Sequence, residues 1–121
     1  MSDILLDKSF DFAVRIVNLS EYLNNEKHEY VLSKKILDSG TNIGLLIEEG
    51  KQGENRSDFI QKFSVANKEA FKTNFLLRLL NKTKHISDSQ VESLMNDCEE
   101  LQKLLISSLK TARKKDEVIT S

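Results

Sequence analysis

An all-α fold, a single up-down-up-down antiparallel four-helix bundle, is what this sequence predicts, on three observations. The 121 residues include no proline and only four glycines, whereas a β-rich chain of this length needs many turns and spends both residue types on them. Apolar residues recur at spacings of three and four through four long segments, the period of helices that bury one side. The connections between them are short and polar, so each helix must turn back on its predecessor. One core serves a chain of this size, and a single domain over residues 1–121 is expected.

The first helix is predicted over about residues 8–23. Phe12, Ile16, Leu19 and Leu23 form one stripe, and Phe10, Ala13, Val14 and Val17 form a second on another side. The polar run Asn24 to Lys27 ends it. The second helix, about 29–49, carries Leu32, Ile36, Ile43 and Ile47 on its buried face. Ser39, Gly40 and Gly44 interrupt it with small residues, and interior glycines that cost helix stability imply close approach of a packed neighbour. Gly50 and Gly53 are read as its terminators.

The third helix spans about 57–80, capped by Asn55 or Ser57, with Asp58 in its first turn. Phe59, Phe63, Ala66, Ala70 and Leu77 face the core, while Ile60, Phe71, Phe75 and Leu79 occupy a different sector. The fourth, about 87–112, has the clearest start: Ser87 and Gln90 have capping-box spacing and Ile86 and Val91 staple spacing. Its stripe runs from Val91 through Leu94, Met95, Cys98, Leu101, Leu105 and Leu109 to Ala112, and the polar tail 113–121 is expected to fray.

Two apolar sides on one helix must both be covered. Helices 1 and 3 therefore predict a homo-oligomer whose interface uses Phe10, Val14, Val17, Ile60, Phe71, Phe75 and Leu79.

Catalytic, cofactor and metal sites are not expected. The residues three before His28 and His85 are Asn25 and Lys82, so the Glu-x-x-His pattern of bundle di-iron sites is missing. Cys98 is the sole cysteine, lies in the buried stripe, and has neither a disulfide partner nor metal-ligand spacing. Glu48 and Glu49 point about 100° apart, which suits a salt bridge across a helix or subunit better than paired acid and base. No phosphate-cradling glycine motif occurs. Asn67 and Asn74 are the notable inward polar candidates of helix 3, read as buried register-setting amides or subunit contacts rather than a ligand site. Neither a signal peptide nor a membrane span is recognisable, and a reducing, cytoplasmic location with no membrane partner is the expectation.

Net charge is −1 and the isoelectric point about 6.1, which gives no global footprint for nucleic acid. Locally the balance changes. From Arg56 to His85 seven bases (Arg56, Lys62, Lys68, Lys72, Arg78, Lys82 and Lys84) stand against Asp58 and Glu69. Such residues are candidate contacts to RNA or DNA, which would be non-specific and salt dependent.

Ser39 to Gly44 (SGTNIG), Ile47 to Gly50 (IEEG), Arg56 to Lys62 (RSDFIQK) and Asn67 to Ala70 (NKEA), in this order and spacing, resemble the family first noticed as products of intervening sequences in 23S ribosomal RNA genes. The likeness runs from about Phe10 to Arg113. It implies a four-helix bundle assembled as a cone-shaped homopentamer, with no catalytic residues to carry over. Relatives include the accessory protein of diversity-generating retroelements, which implies nucleic acid or a reverse transcriptase as partner; this chain departs from them in being slightly acidic. The expected function is a non-enzymatic, self-associating interaction module, with a purely protein-binding scaffold as the alternative.

Overall fold

The computed structural model describes residues 3–120, with side chains through Lys115. Four helices follow one another, α1 (Ile4–Asn25), α2 (Val31–Lys51), α3 (Arg56–Lys82) and α4 (Asp88–Thr120), and no strand occurs among the described residues. Each helix packs on the next and α4 closes on α1, while the diagonal pairs α1/α3 and α2/α4 make no close backbone approach. The result is the predicted up-down-up-down bundle.

Side chains set the helix starts. Asp3 caps α1, its Oδ1 accepting from the Leu5 and Leu6 amides at 3.0 and 3.2 Å. Its Oδ2 meets Lys51 Nζ at 2.8 Å, tying the start of α1 to the end of α2. The Lys51 ammonium, helped by those amides, holds the Asp3 carboxyl below its ordinary range despite some desolvation. This cap explains why α1 begins four residues before the predicted Lys8. At α2 the Glu29 carboxylate accepts from the Ser33 amide at 2.9 Å, after a turn in which His28 takes a positive φ of 51°. Asn55, rather than Ser57, caps α3 by accepting from the Asp58 amide at 2.9 Å. The capping box before α4 is present in both directions, Ser87 N to Gln90 Oε1 at 2.8 Å and Gln90 N to Ser87 Oγ at 3.1 Å.

One boundary differs from expectation. The segment after Ala112, predicted to fray, continues α4 to Thr120. Lysine and arginine are good helix formers, no glycine or proline interrupts them, and the Arg113 guanidinium anchors the first of these turns by donating to Ser64 Oγ at 3.1 Å. Ser121 and the side chains of 116–120 lie outside the described residues.

The core stripes read from the sequence are buried: Phe12, Ile16 and Leu23 of α1, Ile36, Ile43 and Ile47 of α2, Phe63 and Leu77 of α3, and Leu101 and Leu105 of α4. What fixes the helices relative to one another is small residues. A Cβ on Gly40 would sit 2.7 Å from Ile16 Cγ1, and one on Gly44 would sit 3.3 Å from the Ser9 carbonyl oxygen. The α2 backbone therefore lies directly on α1. On its other flank the Ser39 hydroxyl is buried 2.9 Å from that of Thr73 in α3. Gly50 does not terminate α2: it lies inside the last turn, where a Cβ would come within 2.7 Å of the Phe63 ring. The seam between α1 and α4 is the least intimate, and charged pairs span it, Lys8 with Glu100 at 2.8 Å and Arg15 with Asp97 at 2.6 Å.

Gly40→Ala is expected to destabilise the protein. Helix propensity favours alanine by up to about 1 kcal/mol, but the branched carbons of Ile16 cannot swing aside and overpacking costs ~1–3 kcal/mol. Urea unfolding followed by circular dichroism should show a lowered midpoint; a raised one would mean that α1 can move away freely.

Candidate functional site

The chemistry-bearing side chains do not converge. Cys98 is buried, its Sγ 3.4 Å from the Ala70 carbonyl oxygen. Desolvation, with Glu99 and Asp97 adding to it, pushes the thiol up to about 12, so the nucleophilic thiolate is suppressed. His28 and His85 both fall in connections, as expected, His28 exposed beside Tyr30 and His85 beside the Thr83 hydroxyl at 2.8 Å. Glu49 pairs with Lys62 of α3 at 3.0 Å, the cross-helix salt bridge anticipated for it, while Glu48 points to solvent. No group of three metal-ligating side chains occurs among the described residues, and none of their helices is long and apolar enough to cross a membrane.

Asn67 and Asn74 do not face a common cavity. The Asn74 amide oxygen accepts from Arg78 Nε at 2.9 Å on the surface, and Asn67 Oδ1 is buried without a partner. An open cleft of about 540 Å³ lies where the α2–α3 turn meets α4. Lys51, Arg56 and Lys115 line it together with Ser107, Ser108 and Thr111, but Lys51 is already held by Asp3.

The surface that stands out is apolar. On α1 Phe10, Val14 and Val17 are exposed by 63, 47 and 39%, and on α3 Phe71 and Phe75 are each exposed by 55%. Helical spacing joins the first three into one outward strip and the last two into another. They lie on diagonal helices, at opposite corners of the bundle. Ile60 and Leu79 do not share this exposure. Ile60 is half-buried against the core, and Leu79 is half-buried at the mouth of a groove with Phe75, Val91 and Met95. Periodicity missed other exposed apolar residues, Tyr30 and Val31 at the start of α2 and Leu45 on its outer face.

The seven bases form no single surface. Lys62 turns towards α2 to meet Glu49, Arg56 lines the end cleft, and Lys84 sits in the α3–α4 turn with a positive φ of 64°. The other four, Lys68, Lys72, Arg78 and Lys82, are exposed around Phe71 and Phe75. The Arg78 guanidinium lies 5.7 Å from the Phe75 ring centroid. The expected oligomer face and the expected basic face of α3 are thus one face. The matching strip on α1 carries the opposite charge. Asp7, Asp11 and Glu21 are exposed beside Phe10, Val14 and Val17, whereas the bases of α1, Lys8 and Arg15, turn to Glu100 and Asp97 of α4.

Fold and surface together define a four-helix bundle whose described residues carry two uncovered apolar strips and no assembled catalytic group. Residues 3–107 match the family described as 23S rRNA-intervening sequence protein, and the chain belongs to that family. Among solved structures it is similar to a protein of unknown function from the S23 ribosomal protein family of Bacteroides thetaiotaomicron. The two share 51% identity over 88% of this chain and 96% of the other, with a TM-score of 0.88. A search of the curated proteins finds no match.

Burial of Cys98 makes a direct prediction. In the native protein at neutral pH a thiol reagent such as DTNB should modify it at least about a hundredfold more slowly than in the urea-unfolded chain, because both access and thiolate are lacking. Equal rates would show that the α3/α4 seam opens readily.

Proposed function

We propose that this protein works as a non-enzymatic, self-associating interaction module. One observation carries the reading: α1 and α3 each bury one apolar side in the core and present a second, Phe10, Val14 and Val17 on one and Phe71 and Phe75 on the other, to solvent. Aromatic side chains are among the strongest contributors to interfaces when covered, and a lone chain leaves these five at solvent cost. Self-association covers both strips with surface the protein itself supplies. Five subunits is the number implied by the resemblance to family members that form pentamers.

The second reading, binding of RNA or DNA, draws support from the exposed bases Lys68, Lys72, Arg78 and Lys82. The two readings differ in what those bases meet. In an assembly built through the strips the four bases rim the subunit interface, and phosphate binding is weak.

Light scattering coupled to gel filtration tests the proposal. The expected mass is several-fold above the 13.9 kDa of one chain, five-fold for a pentamer, and a monomer at micromolar concentration would overturn it. Anisotropy of labelled RNA and DNA over a salt series separates the readings. Little binding at 0.15 M salt supports the module alone, and tight binding with a steep salt slope supports nucleic acid as partner.

A further inference from the structure

Self-association through two different strips leaves open which strip meets which, and the structure supplies levels and charges that decide it. Gly40 rests against Ile16 of α1, and the adjacent Ser39 touches Thr73 of α3. Ile16 and Thr73 therefore stand at one height along the bundle. Val14 and Val17 flank Ile16 in sequence, and Phe71 and Phe75 flank Thr73. The two apolar strips are level with each other on opposite corners, and α1 and α3 run in the same direction.

Charge follows the same register. Asp11 and Lys68 each lie five residues before their marker, and Glu21 and Arg78 each five residues after it, about 7.5 Å to either side along the axis. With Lys8 and Arg15 turned to α4, the exposed charges of α1 beside its strip, Asp7, Asp11 and Glu21, are acidic, and those of α3 beside its strip, Lys68, Lys72, Arg78 and Lys82, are basic. A strip meeting its own copy would bring like charges together, which costs free energy and disfavours the pairing. A strip meeting the other kind places apolar against apolar at mid-height and acid level with base at both ends.

We infer that the α1 strip of one copy packs in parallel on the α3 strip of the next, joining subunits head to tail through Phe10, Val14 and Val17 against Phe71 and Phe75, with Asp11 and Glu21 level with Lys68 and Arg78. Such contacts are heterologous, and because the strips are level they repeat from copy to copy without a step along the bundle axis. This inference rests on the proposed self-association and adds the pairing and its polarity.

Charge reversal reads the pairing. Asp11→Lys with Glu21→Lys makes both faces basic, Lys68→Glu with Arg78→Glu makes the α3 face acidic at the same two levels, and the fourfold variant exchanges the signs. All four positions are at the surface, and circular dichroism should show unchanged helicity. Each twofold variant is expected to associate at least about tenfold more weakly in sedimentation at low salt, and the fourfold variant to recover most of that loss. If one twofold variant assembles as the wild type does, or the fourfold variant fails to recover, the α1-to-α3 pairing is overturned while self-association stands. A monomeric wild type would overturn the self-association on which it rests.

Discussion

The contact on which the rest of the structure depends is the seating of α2 on α1 at Gly40 and Gly44. Nothing larger than hydrogen fits at Gly40 without displacing Ile16, and close-packed interiors transmit such displacements rather than absorb them. The glycines cost helix stability where they stand, and the packing they permit more than offsets it. With α2 held against α1, the Ser39 to Thr73 contact fixes α3 on the opposite flank. Heights along three helices are thereby set by residues that carry almost no side chain.

That arrangement determines what the outside of the molecule can do. The buried stripes of α1 and α3 point inward, so their second stripes must point outward at the two corners farthest apart. The core has no room for them: Phe12, Ile16 and Phe63 already fill it. Within the single chain the five side chains of these strips stay at the surface. Polar residues reinforce the division. The bases that would otherwise neutralise the α1 rim are turned away, Lys8 to Glu100 and Arg15 to Asp97 of α4. What remains around α1 is acid and around α3 is base.

Much of this was legible in the sequence, because periodicity reports which side of a helix an apolar residue occupies. The four segments, the buried stripes, the box of Ser87 and Gln90 and the close approach at Gly40 and Gly44 all follow from local pattern. The outward placement of Phe10, Val14, Val17, Phe71 and Phe75 follows as well. Height does not, since period says nothing of how far one helix slides on another. The pairing of Ile16 with Thr73 in level therefore needed the three-dimensional structure. Ile60 sits in the outward sector by angle yet is partly covered, and Gly50 lies under Phe63 rather than ending its helix. Both depend on what a neighbouring helix brings near. The acidic rim of α1 was present in the sequence as Asp7, Asp11 and Glu21, but it became a feature only once Lys8 and Arg15 were found turned away to α4.

The most direct measurement is chemical cross-linking between two singly labelled chains. Val14→Cys and Phe71→Cys place one reactive thiol at mid-height on each strip, while buried Cys98 stays unreactive. A short bis-maleimide spans the ~8–10 Å between axes of packed helices. Mixing the two variants should give a covalent dimer containing one chain of each, with neither variant cross-linking by itself. A dimer formed by either variant alone, or none in the mixture, would contradict the account.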